Sequence, residues 1–151
     1  MFGINDALRE RELKEGPIRV AIIGAGTMGG YMAHQLVMAK GMNPDIVIDV
    51  DVERAKGALT KAGIAESVLK FCHTPAEVTA TTKEGKHAYS GLAELAWTTP
   101  EIDVVVGPET LGHHQVMWFV AVRGVLPVRG QRPDHHEHGE TGDQRRPSCD
   151  A

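Results

Sequence analysis

Three short apolar runs punctuate this chain: Val20-Ala21-Ile22-Ile23, Ile46-Val47-Ile48 and Ile102-Asp103-Val104-Val105-Val106. Their β-branched content predicts buried strands. After the first run, Tyr31 to Ala39 carries apolar residues at Met32, Leu36 and Ala39, in steps of four and three, which suits an amphipathic helix. Gly41 reads as its C-terminal stop and Asn43-Pro44 as a turn. Asp51 is placed to cap a helix that starts Val52-Glu53-Arg54-Ala55-Lys56 and continues from Ala55 to Ala65, weakened by Gly57 and Gly63. Ala76-Glu77-Val78 and Ala88-Tyr89-Ser90 suggest short elements around a Lys83-Glu84-Gly85-Lys86 turn, and Leu92 to Ala96 a short helix. His113-His114, before Gln115 to Val120, reads as a helix start beside a core face.

Before the first strand, Asn5 to Glu15 reads as a charged helix. Asn5 or Asp6 can cap it, Leu8 and Leu13 give a thin apolar stripe, and Gly16-Pro17 ends it. Its Arg9-Glu10-Arg11-Glu12 run is most simply a solvated face, the alternative being a helix packed across the domain edge or onto another subunit. Helices alternating with short buried strands predict a parallel α/β sheet. Three or four strands would leave an edge open to aggregation or to pairing with a partner, so a homo-oligomer is one expectation.

The first strand runs directly into Gly24-Ala25-Gly26-Thr27-Met28-Gly29. This is the order of a dinucleotide-binding turn, with a separate physical task for each glycine. Gly24 permits the sharp turn off the strand, Gly26 lets a pyrophosphate approach the backbone, and Gly29 lets the helix pack closely on the sheet. Thr27 and Met28 sit at the helix N-terminus, whose unpaired N–H groups and positive dipole end suit phosphate. Asp49 ends the second strand twenty residues beyond Gly29, where such a fold places the acid that meets the adenosine ribose. Asp51 competes for that role, but the helix start behind it makes it the better N-cap. Asp49 argues for NAD, because a carboxylate repels a 2′-phosphate, while Arg54 keeps NADP open. In a parallel sheet the loop after Val106, Gly107-Pro108-Glu109-Thr110, shares a rim with this turn. It is placed either near a nicotinamide or as an ordinary strand-ending turn.

At 151 residues the chain has room for one modest core. A net charge of −4 gives no electrostatic reason to expect nucleic acid or a membrane surface. No apolar run reaches the roughly twenty residues of a membrane span, and the N-terminus lacks the features of a secretory signal, so the expected location is cytoplasmic. Cys72 and Cys149 form neither a disulfide framework nor a metal cluster, and Cys72 reads as an ordinary reduced thiol.

Asn5-Asp6-Ala7-Leu8-Arg9-Glu10-Arg11, with Ile18 to Gly29 behind it, resembles bacterial NAD(P)-dependent oxidoreductases of the homoserine dehydrogenase-like type, many of which carry a C-terminal SAF domain. Asp49-Val50-Asp51-Val52-Glu53-Arg54-Ala55 is similar to the acid-x-acid-x-Glu-Arg-Ala stretch of the broader glucose–fructose oxidoreductase group, and Ile102 to Val106 to the strand before the nicotinamide loop. The resemblance covers roughly residues 4 to 106. It implies a Rossmann-like, doubly wound parallel α/β sheet, here incomplete, that binds NAD or NADP through Gly24, Gly26, Thr27, Met28, Gly29 and Asp49. Hydride transfer to or from a small alcohol or aldehyde is the implied chemistry. The chain departs from the pattern at Gly107-Pro108-Glu109-Thr110, where family members run into Glu-Ala-Thr-Gly. Members are also much longer, and their substrate domain supplies the catalytic lysine or acid, so no catalytic residue is assigned. A non-catalytic nucleotide-binding regulatory module is the alternative, and the same fold also serves flavin or S-adenosylmethionine.

The expected division is an N-terminal helix at 1–17, a dinucleotide-binding domain at 18–122 and a polar tail at 123–151. From Arg129 the chain is almost devoid of apolar residues, which predicts disorder. His135, His136, Glu137 and His138 are metal-ligand types, but consecutive on a polar tail with no second shell they read as no metal site. A one-base shift gives the tail another meaning: His135 to Gly139 permits Ile-Met-Asn-Met followed by Glu or Val, and Gly142 to Pro147 permits Val-Thr-Asn-Val-Gly-Pro. Both resemble the strand and turn that follow the family's nicotinamide loop, which predicts a frameshifted or truncated gene. Reading the coding DNA in all three frames tests this: the expected result is a long open continuation in a shifted frame, and its immediate closure removes the idea.

Overall fold

The computed structural model of the chain describes residues 3–111 and 115–122. The tail from Arg123, with its expected disorder, its histidine cluster and Cys149, lies outside the described residues, as do His113 and His114. In chain order the elements are α1 (Ile4–Glu15), β1 (Ile18–Ile23), α2 (Thr27–Met38), β2 (Met42–Ile48), α3 (Val52–Lys61), β3 (Leu69–Phe71), α4 (Pro75–Lys83), β4 (His87–Ser90), α5 (Leu95–Thr98), β5 (Val104–Leu111) and β6 (Gln115–Val122). They form one sheet in the order β3-β4-β2-β1-β5-β6. The first five strands are parallel and β6 is antiparallel to β5. Among the described residues no helix is long and apolar enough to cross a membrane.

Alternation along the central strands feeds two cores, as a doubly wound sheet requires. Val20 and Ile22 of β1 and Val47 of β2 pack against Ala33 of α2 and Ala55, Ala58 and Leu59 of α3. Ala21, Ile46, Ile48 and Val105 face the other way, onto Val78 of α4 and Leu95 and Ala96 of α5. Helix α2 differs from its sequence pattern in an instructive way. Its buried positions are Gly29 and Ala33, while Met32 and Leu36 pack as partly buried flanks and Ala39 caps the C-terminus. Small side chains hold the deepest seats because they let the helix axis approach the sheet.

Several local expectations are corrected. Asn43-Pro44 is not a turn but part of β2, where the register with β1 slips between Val20 and Ala21. The extra residue, Asp45, makes a bulge, which is where a strand tolerates a proline that lacks an N–H donor. Leu13 is exposed rather than paired with Leu8 in a stripe, and no residue of α1 is buried. What anchors α1 is polar and steric: Arg11 donates to Gly16 O (3.2 Å) and lies 3.6 Å from the Asp103 carboxylate. The Leu8 backbone also rests against Gly41, where an added Cβ would stand 2.8 Å from Leu8 O. Gly3, not Asn5 or Asp6, is the N-cap of α1, and Asp6 accepts its N–H at 3.1 Å.

Among the described residues the sheet has six strands, not three or four, because β3 is too short to signal itself and β6 read as a helix. Residues 107–110 are neither a loop nor a turn: they extend β5, whose Val104 to Leu111 pair with Val122 to Gln115. The same pairing replaces the helix expected at Gln115 to Val120 with strand β6. Val116, Trp118, Phe119, Val120 and Val122 suit a strand, and strands this close in sequence can pair only antiparallel.

Candidate functional site

The carboxyl ends of β1, β2 and β4 converge on Asp49. Gly24, in a left-handed conformation (φ +89°), turns the chain off β1 and donates its N–H to Ile48 O at 2.7 Å. Ala25 N–H donates to Asp49 Oδ2 at 2.7 Å, and Asp51 N–H donates to Asp49 Oδ1 at 2.9 Å. Asp49 N–H donates to Ser90 O at 3.1 Å, while Ser90 Oγ accepts Leu92 N–H at 3.2 Å. The Asp49 carboxylate therefore fastens the glycine turn to the end of β2, and its residue is only 8% exposed. Asp51 takes the role expected of it: its Oδ1 accepts the Glu53 and Arg54 N–H groups (3.1 and 3.3 Å) and caps α3.

The glycines of the turn separate by the reason each is glycine. At Gly29 a Cβ would fall 1.8 Å from Gly24 O, so the helix start and the strand end touch through bare backbone. Gly26 is the N-cap of α2, with φ −68°, a value open to any residue. A Cβ there would meet no protein atom within 4 Å. The fold thus demands glycine at 24 and 29, while at 26 it leaves an open space. Thr27 opens α2, Met28 is 54% exposed, and among the described residues no side chain caps the α2 N-terminus. Its first-turn N–H groups and its dipole are consequently oriented toward that space.

Between α2 and α3 runs a cleft of about 810 Å³. Ala25, Gly26, Thr27, Gly30 and Tyr31 line one side, and Glu53, Arg54, Gly57, Ala58 and Lys61 the other. Sequence reasoning passed over Gly30, Tyr31, Gly57 and Lys61. The one available signal was Gly57, a helix-weakening residue inside α3 that shortens a wall where an alanine would fit its propensity better. Of the expected site residues, Gly24, Gly26, Thr27, Met28, Gly29 and Asp49 all come together at the rim formed by β1 and β2. The loop at 107–110 does not join them as a loop, because β5 continues through it.

The sequence matches no protein-family model and no curated protein. Among solved structures it is similar to the crystal structure of a "putative NADP oxidoreductase" from Bacteroides fragilis, at 17% identity and a TM-score of 0.30. The match covers 70% of this chain and 51% of that one, so the chain spans about half the length of that protein.

Two substitutions test the roles of these contacts by chemical unfolding. Gly29→Ala forces the α2 start away from Gly24 and is expected to lower stability by on the order of 3 kcal/mol. Asp49→Asn replaces one accepting oxygen with an amide that cannot accept, leaving a buried N–H of Ala25 or Asp51 unpaired. The expected loss is about 1–3 kcal/mol. Unfolding midpoints equal to the parent chain's would refute each assignment.

Proposed function

We propose that residues 18–122 form the cofactor-holding unit of an NAD(P)-dependent oxidoreductase. One observation carries the reading: within a single turn, two glycines are required by the protein itself and the third, Gly26, is not. A glycine that fold sterics do not require, set at an uncapped helix N-terminus beside an open cleft, suits a ligand that must approach the backbone. The pyrophosphate of a dinucleotide has the charge and shape for that place. Gly24, Gly26, Thr27, Met28 and Gly29 form its cradle in this reading, and Asp49 holds the cradle in shape at the ribose end.

The chemistry follows from the cofactor: when bound, a nicotinamide dinucleotide supplies or accepts hydride. This unit's contribution is to bind and orient it. A small alcohol or aldehyde is the proposed substrate class, as in homoserine dehydrogenase-like enzymes, and the groups that move the substrate proton are assigned to sequence outside this unit. That family assignment rests on the Asn5 to Arg11 and Ile18 to Gly29 stretches.

Gly26→Val tests the proposal. Fluorescence titration with NADH and NADPH should show binding to the parent chain and a loss on the order of a hundredfold or more in the variant. Because an added Cβ at position 26 meets no atom within 4 Å beyond its chain neighbours, stability should change by about 1 kcal/mol or less. Undiminished binding by the variant would refute the cradle.

A further inference from the structure

On sequence grounds Asp49 favours NAD and Arg54 allows NADP; their surroundings in the fold weigh the two differently. We propose that the cleft between α2 and α3 takes the 2′-phosphate of a phosphorylated dinucleotide, so that the site selects NADP over NAD. The inference rests on the dinucleotide reading above and adds to it the form of the cofactor.

Selection of NAD works through a carboxylate that reaches the ribose hydroxyls and repels a phosphate in their place. Asp49 is badly placed for that. Each of its oxygens already accepts a backbone N–H, from Ala25 at 2.7 Å and from Asp51 at 2.9 Å, and the residue is almost wholly buried. The second acid, Asp51, is engaged by the first turn of α3 through Glu53 N–H and Arg54 N–H. Asp49 therefore presents little free surface to a ribose, and Asp51 is committed through Oδ1 to capping α3.

The cleft offers the opposite chemistry. Arg54 and Lys61 both line it, seven residues apart on one face of α3, with Gly57 and Ala58 between them. Among the described residues neither cation has an ion-pair partner, whereas Lys56 on the same helix is paired with Glu66 at 2.9 Å. Glu53 also lines the cleft, so two cations against one acid leave a net positive charge. Space matches charge. Gly30 and Gly57 lie on opposite walls, and an added Cβ at either would meet nothing within 4 Å. A guanidinium with its planar fork of donors suits a phosphate dianion, and Lys61 adds a second positive charge along the same wall of the cleft.

Calorimetric titration of the full chain with NADP, NAD, adenosine 2′,5′-bisphosphate and AMP tests the assignment. The expected result is a preference of roughly ten- to a hundredfold for each 2′-phosphorylated member of its pair, the size of one or two charge-assisted hydrogen bonds. Arg54→Gln should bring both ratios down to about one to threefold, and Arg54→Lys should keep part of them, as a point charge without the fork would. Equal or tighter binding of NAD by the parent chain overturns the selectivity and leaves the dinucleotide reading standing. An unchanged preference in Arg54→Gln overturns the cleft as the phosphate site. Failure of the parent chain to bind any of the four ligands overturns the dinucleotide reading itself.

Discussion

The contact between Gly29 and Gly24 is the constraint on which the rest of the structure turns. Backbone meets backbone there, with no space for even a methyl group. That contact sets how near α2 comes to β1, which is why Gly29 and Ala33, and not the larger Met32 and Leu36, are the buried positions of the helix. It also sets the direction in which the uncapped N-terminus of α2 points. The same close approach keeps the first turn of α2 beside the end of β2, within reach of the cleft shared with α3. Core packing and the ligand space at Gly26 are thus two consequences of one short distance.

Asp49 complements that constraint electrostatically. A carboxylate at a strand end accepts two N–H groups from two different turns, and so fixes the β1–α2 and β2–α3 connections relative to each other. Buried charges are costly unless hydrogen bonded, and Asp49 meets that condition with backbone donors alone. The opposite end of the sheet carries a second polar group of a different character. There Arg19 N–H donates to Asp103 Oδ2 at 2.9 Å, and the Arg19 guanidinium donates to Thr82 and stands 3.5 Å from Asp45. Burial pushes the Asp45 carboxyl above its ordinary pKa, against the opposing pull of the Asn43 hydrogen bond and the Arg19 charge. This network ties α1, β1, α4 and the entry to β5 together at the end of the sheet away from the cleft. The two ends divide the work, with side-chain ion pairs holding one and bare backbone shaping the other.

How much was legible in the chain follows from the range over which each signal acts. The β1 turn, the acid at position 49 and the α3 cap at Asp51 are local: a few consecutive residues contain the whole physical reason for them. The buried strands at 20–23 and 46–48 were likewise visible from composition. Pro44 misled, because a proline reads as a break until its neighbours show that a bulge accommodates it. Strand β3, three residues long, was silent, and Gly107 to Thr110 read as a loop because nothing local announces pairing with residues 115–122. The cleft was hidden for a related reason. Gly30 and Gly57 are separated in sequence, and neither says by itself that it faces the other.

The sequence by itself determined that a parallel α/β sheet forms and where its glycine turn lies, since strand propensity, helical spacing and left-handed glycine are properties of short segments. Only the tertiary structure decided what each member of the motif does. Gly29 is held by Gly24, Gly26 is held by nothing in the protein, and Asp49 is occupied by two neighbouring backbones. Those distinctions depend on distances between segments brought together by burial of two hydrophobic faces, and no single segment carries that information.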